Sequence, residues 1–85
     1  MPYRIEWRPA ARRGLFWLER DAQTRVFRCV DALAGNPRPD GCRKLTGREN
    51  LYRVRVGDYR ILYEVRDAVL VVLVVEIEHR REVYR

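Results

Sequence analysis

Apolar and polar positions alternate through residues 3–7, which places Tyr3, Ile5 and Trp7 on one face of a short strand. Pro9 suits the first turn of a following helix, where its missing N–H costs nothing. Over residues 10–20 the period changes, and Ala11, Leu15 and Leu18 fall at helical spacing among arginines. Asp21 is the expected N-cap of a second helix. Its apolar positions Ala22, Val26, Cys29, Val30 and Leu33 recur at i, i+4, i+7, i+8 and i+11. The stretch Gly-Asn-Pro-Arg-Pro-Asp-Gly at 35–41 ends that helix. With one or two residues between them, the helices form an αα-hairpin. From Leu51 the period is two, which predicts strands over 51–56, 59–66 and 69–77, with turns at Gly57-Asp58 and Asp67-Ala68. The last strand carries Leu-Val-Val-Leu-Val-Val-Glu-Ile, so apolar that both of its faces should be covered. The order β-α-α-β-β-β predicts one α+β domain over residues 1–85. In it, the helical hairpin packs on one face of a mostly antiparallel four-stranded sheet.

The hairpin at 52–63, Tyr-Arg-Val-Arg-Val-Gly-Asp-Tyr-Arg-Ile-Leu-Tyr, fixes its own register if the loop is two residues long. Val56 then pairs with Tyr59, Arg55 with Arg60, Val54 with Ile61, Arg53 with Leu62 and Tyr52 with Tyr63. One face is a core face. The other gathers Arg53, Arg55 and Arg60 around Leu62 on the open side of the sheet. Like charges directly opposite cost up to about 1 kcal/mol. Three guanidiniums together therefore point to an anion, and arginine forks match phosphate oxygens bidentately at any working pH.

Composition strengthens that reading. Eighteen basic and 12 acidic side chains leave a net charge of +6, and Lys44 is the only lysine. A basic chain of this size suits a polyanion, nucleic acid first, or an acidic protein partner. No wide, bulky apolar helix stripe suggests a membrane surface, and the run at 68–75 is too short for a helical span. Cys29 and Cys42 have no metal-ligand spacing; Cys29 reads as a small core residue, no disulfide is required, and a reducing cytoplasm is expected. The start of the chain alternates like a strand rather than a signal peptide. Nothing calls for a metal or another cofactor.

After the last strand come Glu-His-Arg-Arg-Glu-Val-Tyr-Arg, residues 78–85. Adjacent meander strands bring His79, Arg80, Arg81 and Tyr84 toward the arginine face. Taken with Lys-Leu-Thr-Gly at 44–47, the hairpin block at 51–65 and the block at 71–85, the chain resembles RelE-type toxins of the RelE/ParE toxin–antitoxin superfamily. The resemblance implies a type II toxin that enters the ribosomal A site and cleaves mRNA, inhibiting translation. It also implies a RelB-like antitoxin that wraps the toxin, with contact to operator DNA only through that complex. It matches Arg53, Arg60, Arg80 and Tyr84 to catalytic positions and Arg55 to the basic pair of the first hairpin strand. Lys44, His79 and Arg81 join as RNA- or phosphate-binding residues. Some members carry lysine where this chain has Arg53 and Arg55, and arginine does not readily give up a proton. Metal-independent cleavage needs in-line attack by the 2′-hydroxyl, charge stabilisation at phosphorus and a proton for the leaving oxygen. Arg53 and Arg60 suit phosphate binding and charge stabilisation, with Arg55 orienting the RNA. Tyr84 suits the base or a stacking platform, and Arg80 the acid or further charge stabilisation, with His79 as a substitute. Two rivals share the fold: a ParE-like gyrase poison, and an inactive basic module neutralised by an antitoxin.

Overall fold

The computed structural model describes residues 2–79. Five strands, rather than the expected four, form one sheet: β1 Arg4–Trp7, β2 Arg43–Lys44, β3 Leu51–Val56, β4 Tyr59–Arg66 and β5 Val71–His79. Helices α1 Pro9–Phe16 and α2 Arg20–Leu33 follow β1. The strand order is β1-β5-β4-β3-β2. Among the described residues, only β1 pairs in parallel, with β5. The remaining neighbours are antiparallel. The α+β layout and the mostly antiparallel sheet therefore stand. The added strand, β2, is two charged residues long, too short to show a period, and exists only through its pairing with β3. A short charged strand is a usual way to blunt a sheet edge.

Three boundaries move. Helix α1 stops at Phe16 instead of reaching residue 20, because the Gln23 side chain donates to the carbonyls of Leu15 (3.0 Å) and Phe16 (3.3 Å) and closes that end. Glu19, not Asp21, occupies the N-cap of α2; Asp21 lies inside the first turn, where a negative charge complements the helix dipole. The turn expected at Asp67-Ala68 is a 3-10 turn over Asp67–Val69, followed by Leu70 at φ +53°, so the last strand covers Val71–His79 rather than 69–77.

The β3–β4 register matches the two-residue loop throughout, including Arg55 opposite Arg60. Gly57 sits at φ +58° and opens the turn, the position where type II′ hairpins take glycine. Val54, Ile61 and Tyr63 on the inner face pack with Ala11, Val26, Val30 and Leu33 of the helices and Val65, Val72 and Val74 of the sheet. Val71, Val72, Leu73 and Val74 are all buried, so the apolar half of the last strand is covered on both faces.

Between Leu62 and Tyr63 the β4–β5 ladder slips: Leu62 pairs with Glu76 but Tyr63 pairs with Val74, leaving Val75 as an extra residue. A bulge of this kind reverses which side chains face which way. Beyond it Ile77 pairs with Ile61 on the core side, while Glu76 and Glu78 turn to the open face.

Candidate nucleic-acid interface

Cross-strand partners share a face, so the ladders lay out the open side of the sheet. One row runs Arg43, Arg53, Leu62, Glu76 across β2, β3, β4 and β5; the next runs Arg55, Arg60, Glu78. Arg43, Arg53 and Arg55, with Gly41, line a cleft of about 380 Å³. Gly41 holds φ +89°, a conformation that favours glycine, and lets the chain turn into β2 at the cleft's rim. Among the described residues, none of these three arginines has a carboxylate within ion-pair distance.

Arg60 is different. Its side chain is only 17% exposed, and its one ion-pair contact among the described residues is loose: Nη2 lies 3.7 Å from Glu78 Oε1. Its Nε is buried and has no hydrogen-bond partner among the described residues. A desolvated donor left unpaired costs free energy that a bound acceptor would recover. Four guanidiniums share one sheet face, and one of them, Arg60, has a buried Nε with no partner among the described residues; together they offer the donors that a phosphate or carboxylate accepts.

Two of the expected residues lie elsewhere. The register places Lys44 beside Tyr52, on the helix side of the sheet. His79 pairs with Tyr59 and lies against its ring, centroids 4.7 Å apart, also on the helix side. The bulge sets that parity: with Glu78 turned to the open face, its neighbour His79 points the other way. Arg80, Arg81 and Tyr84 lie outside the described residues. Arg43 is the residue the sequence did not single out; its signal is the pairing with Arg53, which only the β2 ladder reveals.

A polar clamp steadies the loop that leads to this edge. Arg38 donates to both carboxylate oxygens of Asp67 (2.8 and 3.3 Å) and, through Nε, to the Tyr52 hydroxyl (2.9 Å). Tyr3 also donates its hydroxyl to Asp67. The donors hold the Asp67 carboxyl below its ordinary range, Arg38 contributing most and Tyr3 next. A carboxylate whose folded pKa is depressed adds stability that is present above its unfolded pKa, near 3.9, and lost as pH falls through the lower folded value. Asp67→Asn is therefore expected to flatten the decline of stability on the acid side, read as urea midpoints from about pH 5 down to pH 2. An unchanged slope would show that the clamp contributes nothing in solution.

The helical hairpin exposes three large apolar side chains among its charged ones. Phe16, Trp17 and Phe27 are 73%, 86% and 54% exposed. Phe16 and Phe27 line a groove across the helical hairpin with Leu15, Gln23, Thr24 and Arg28. Among the described residues no helix is long and apolar enough to cross a membrane.

Comparison with known proteins agrees with this fold. The family model described as "ParE toxin of type II toxin-antitoxin system, parDE" matches residues 5–84. A search of curated proteins returns no match. Among solved structures, the archaeal RelE–RelB complex from Pyrococcus horikoshii OT3 contains a chain of 29% identity and TM-score 0.84, with 94% of this chain and 97% of that one covered. The RelBE2 toxin–antitoxin complex of Mycobacterium tuberculosis matches at 28% identity and TM-score 0.81, covering 94% and 100%. The intact RelBE complex of E. coli matches in fold at 22% identity and TM-score 0.80, covering 91% and 95%. The chain belongs to the ParE toxin family of type II toxin–antitoxin systems, within the RelE/ParE superfamily.

Proposed function

We propose that this toxin is a ribosome-dependent endoribonuclease that cleaves mRNA in the A site without a metal. The observation that carries the reading is Arg60, a largely shielded side chain whose buried Nε has no partner among the described residues, beside three arginines that have no carboxylate partner among those residues. Phosphate oxygens are the acceptors such a group lacks. Arg60 and Arg53 would hold the scissile phosphate and stabilise the charge that builds on it; Arg55 and Arg43 would bind the flanking backbone. Such preorganised cations are commonly the largest single contribution to catalysis of this kind. Arg80 and Tyr84, carried over from the family resemblance, complete the site. An acidic, RelB-like antitoxin neutralises the toxin, and contact with operator DNA runs through that complex. The exposed Phe16, Trp17 and Phe27 offer such a partner apolar surface to bury.

A second reading has its own observation: the matching family model is ParE, and a ParE-like toxin on this fold would act on DNA gyrase through protein contacts. Induction in a host lacking the antitoxin separates the two. Mapping 5′ ends is expected to show new cuts inside translated messages at A-site positions. Intact messages with double-strand DNA breaks would reverse the assignment.

A further inference from the structure

Resting on the ribonuclease reading, we propose that Glu78 is the general base, the group that takes the proton from the attacking 2′-hydroxyl. Arginine side chains bind phosphate but cannot accept a proton. The site therefore needs an acceptor beside them, and among the described residues the open face has few. Glu64 is occupied, with Arg66 at 2.9 Å and Arg48 at 3.3 Å. Glu76 stands opposite the apolar Leu62. Glu78 stands opposite Arg60, with its carboxylate 3.7 Å from that guanidinium.

The 3.7 Å contact is longer than a hydrogen bond, so neither group saturates the other. A phosphate gripped by Arg60 at about 2.8 Å would hold its ribose next to the Glu78 oxygens. The bulge at Val75 gives this arrangement a structural cause. Unbroken alternation from Val72 and Val74 would send Glu76 and Glu78 to the helix side, and the extra residue turns both to the arginines. Bulges commonly re-aim a side chain beside a functional site.

The charged groups facing Glu78 among the described residues are few. They are Arg60 on β4, Arg55 beyond it on β3, and Glu76 two residues back on β5. Strand β1 ends at Trp7, level with Val74, and brings no charge to it. The helices pack on the other face.

In the step, the 2′-hydroxyl proton passes to a Glu78 oxygen as the O2′ electron pair forms a bond to phosphorus. The bond from phosphorus to O5′ breaks with its electron pair on O5′, which takes a proton from water. The resulting hydroxide takes the proton back from Glu78. The products are a 2′,3′-cyclic phosphate and a 5′-hydroxyl. Tyr84 then serves as a stacking platform rather than as the base.

The test is single-turnover cleavage of a defined mRNA on programmed ribosomes by the purified full chain, Glu78→Gln and Glu78→Asp, across pH, alongside ribosome binding. Glu78→Gln is expected to cleave about 10²- to 10⁴-fold more slowly. It should bind as well as the parent or better, and lose the fall in rate toward low pH. Glu78→Asp should keep that acid limb at a reduced rate. Glutamine cleaving as fast as the parent, or faster, would overturn the proposal and make Glu78 a brake on phosphate binding. An aspartate variant without the acid limb would also overturn it. In either case, loss of cleavage in an Arg60 variant would leave the ribonuclease reading standing. A parent chain that cuts no RNA would remove both.

Discussion

Arg60→Leu should abolish most RNA cleavage and yet leave the protein at least as stable as the parent. The two halves have one cause. Arg60 faces Arg55 across the hairpin, lies largely out of water, and among the described residues has only a loose carboxylate contact and an unpaired Nε. Relieving a directly opposed like charge returns up to about 1 kcal/mol. Removing a buried donor that none of the described residues satisfies adds to that, and leucine keeps the apolar stem. Since about 1 kcal/mol moves the Tm of a domain this size by roughly 4–8 °C, an unchanged or slightly raised melting temperature is expected. Cleavage on programmed ribosomes should fall by about 10²- to 10³-fold, the usual effect of deleting one preorganised group that stabilises transition-state charge. Arg60→Lys should fall between the two, because an ammonium keeps the charge without the fork. A variant that melts early and cuts normally would make Arg60 a structural residue and remove the main support for a phosphate site.

How much of the fold and the site is legible in the sequence depends on how local the deciding interaction is. The Gly57-Asp58 loop is local, and it fixes every pair from Tyr52–Tyr63 to Val56–Tyr59. The clustering of Arg53, Arg55 and Arg60 therefore follows from the order of residues in one hairpin. The core positions of α2 are equally open to reading, because Val26, Val30 and Leu33 obey a helical period and are almost fully buried. What stays hidden depends on distant pairings. Strand β2 forms only because Arg43 and Lys44 meet β3, so the contribution of Arg43 to the cleft leaves no periodic trace. The bulge at Val75 arises between two strands that each look regular. It decides that Glu78 joins the arginines and His79 faces Tyr59, the reverse of what proximity in sequence suggests for His79. The end of α1 is set by Gln23 reaching back to the carbonyls of Leu15 and Phe16, a contact across the corner that composition does not announce.

Tyr63 offers the largest effect on stability and ties the core to the site. It is fully buried, and its hydroxyl donates to the Pro37 carbonyl at 2.8 Å, anchoring the segment that leads through Gly41 to Arg43. Tyr63→Ala should cost about 3–5 kcal/mol, as large aromatic truncations in cores do. A chain of 85 residues is stable by only about 4–13 kcal/mol, so this loss should remove from about a quarter to all of the parent's stability. Tyr63→Phe separates the two contributions: the ring remains, the Pro37 carbonyl loses its donor, and the expected cost is about 1–3 kcal/mol. Urea midpoints with matching m-values would measure both. The phenylalanine variant carries a second signature. Burial, first, and the neighbouring Cys42 push the Tyr63 phenol well above its ordinary value. A group whose pKa is raised on folding contributes stability that is present below its unfolded pKa, near 10, and lost as pH rises toward the folded value. The parent should therefore lose stability above about pH 10, and Tyr63→Phe should lose less of it over the same range. Equal alkaline slopes in the two proteins would mean that the hydroxyl is hydrated in solution and that the Pro37 anchor is not what holds the Arg43 edge against the sheet.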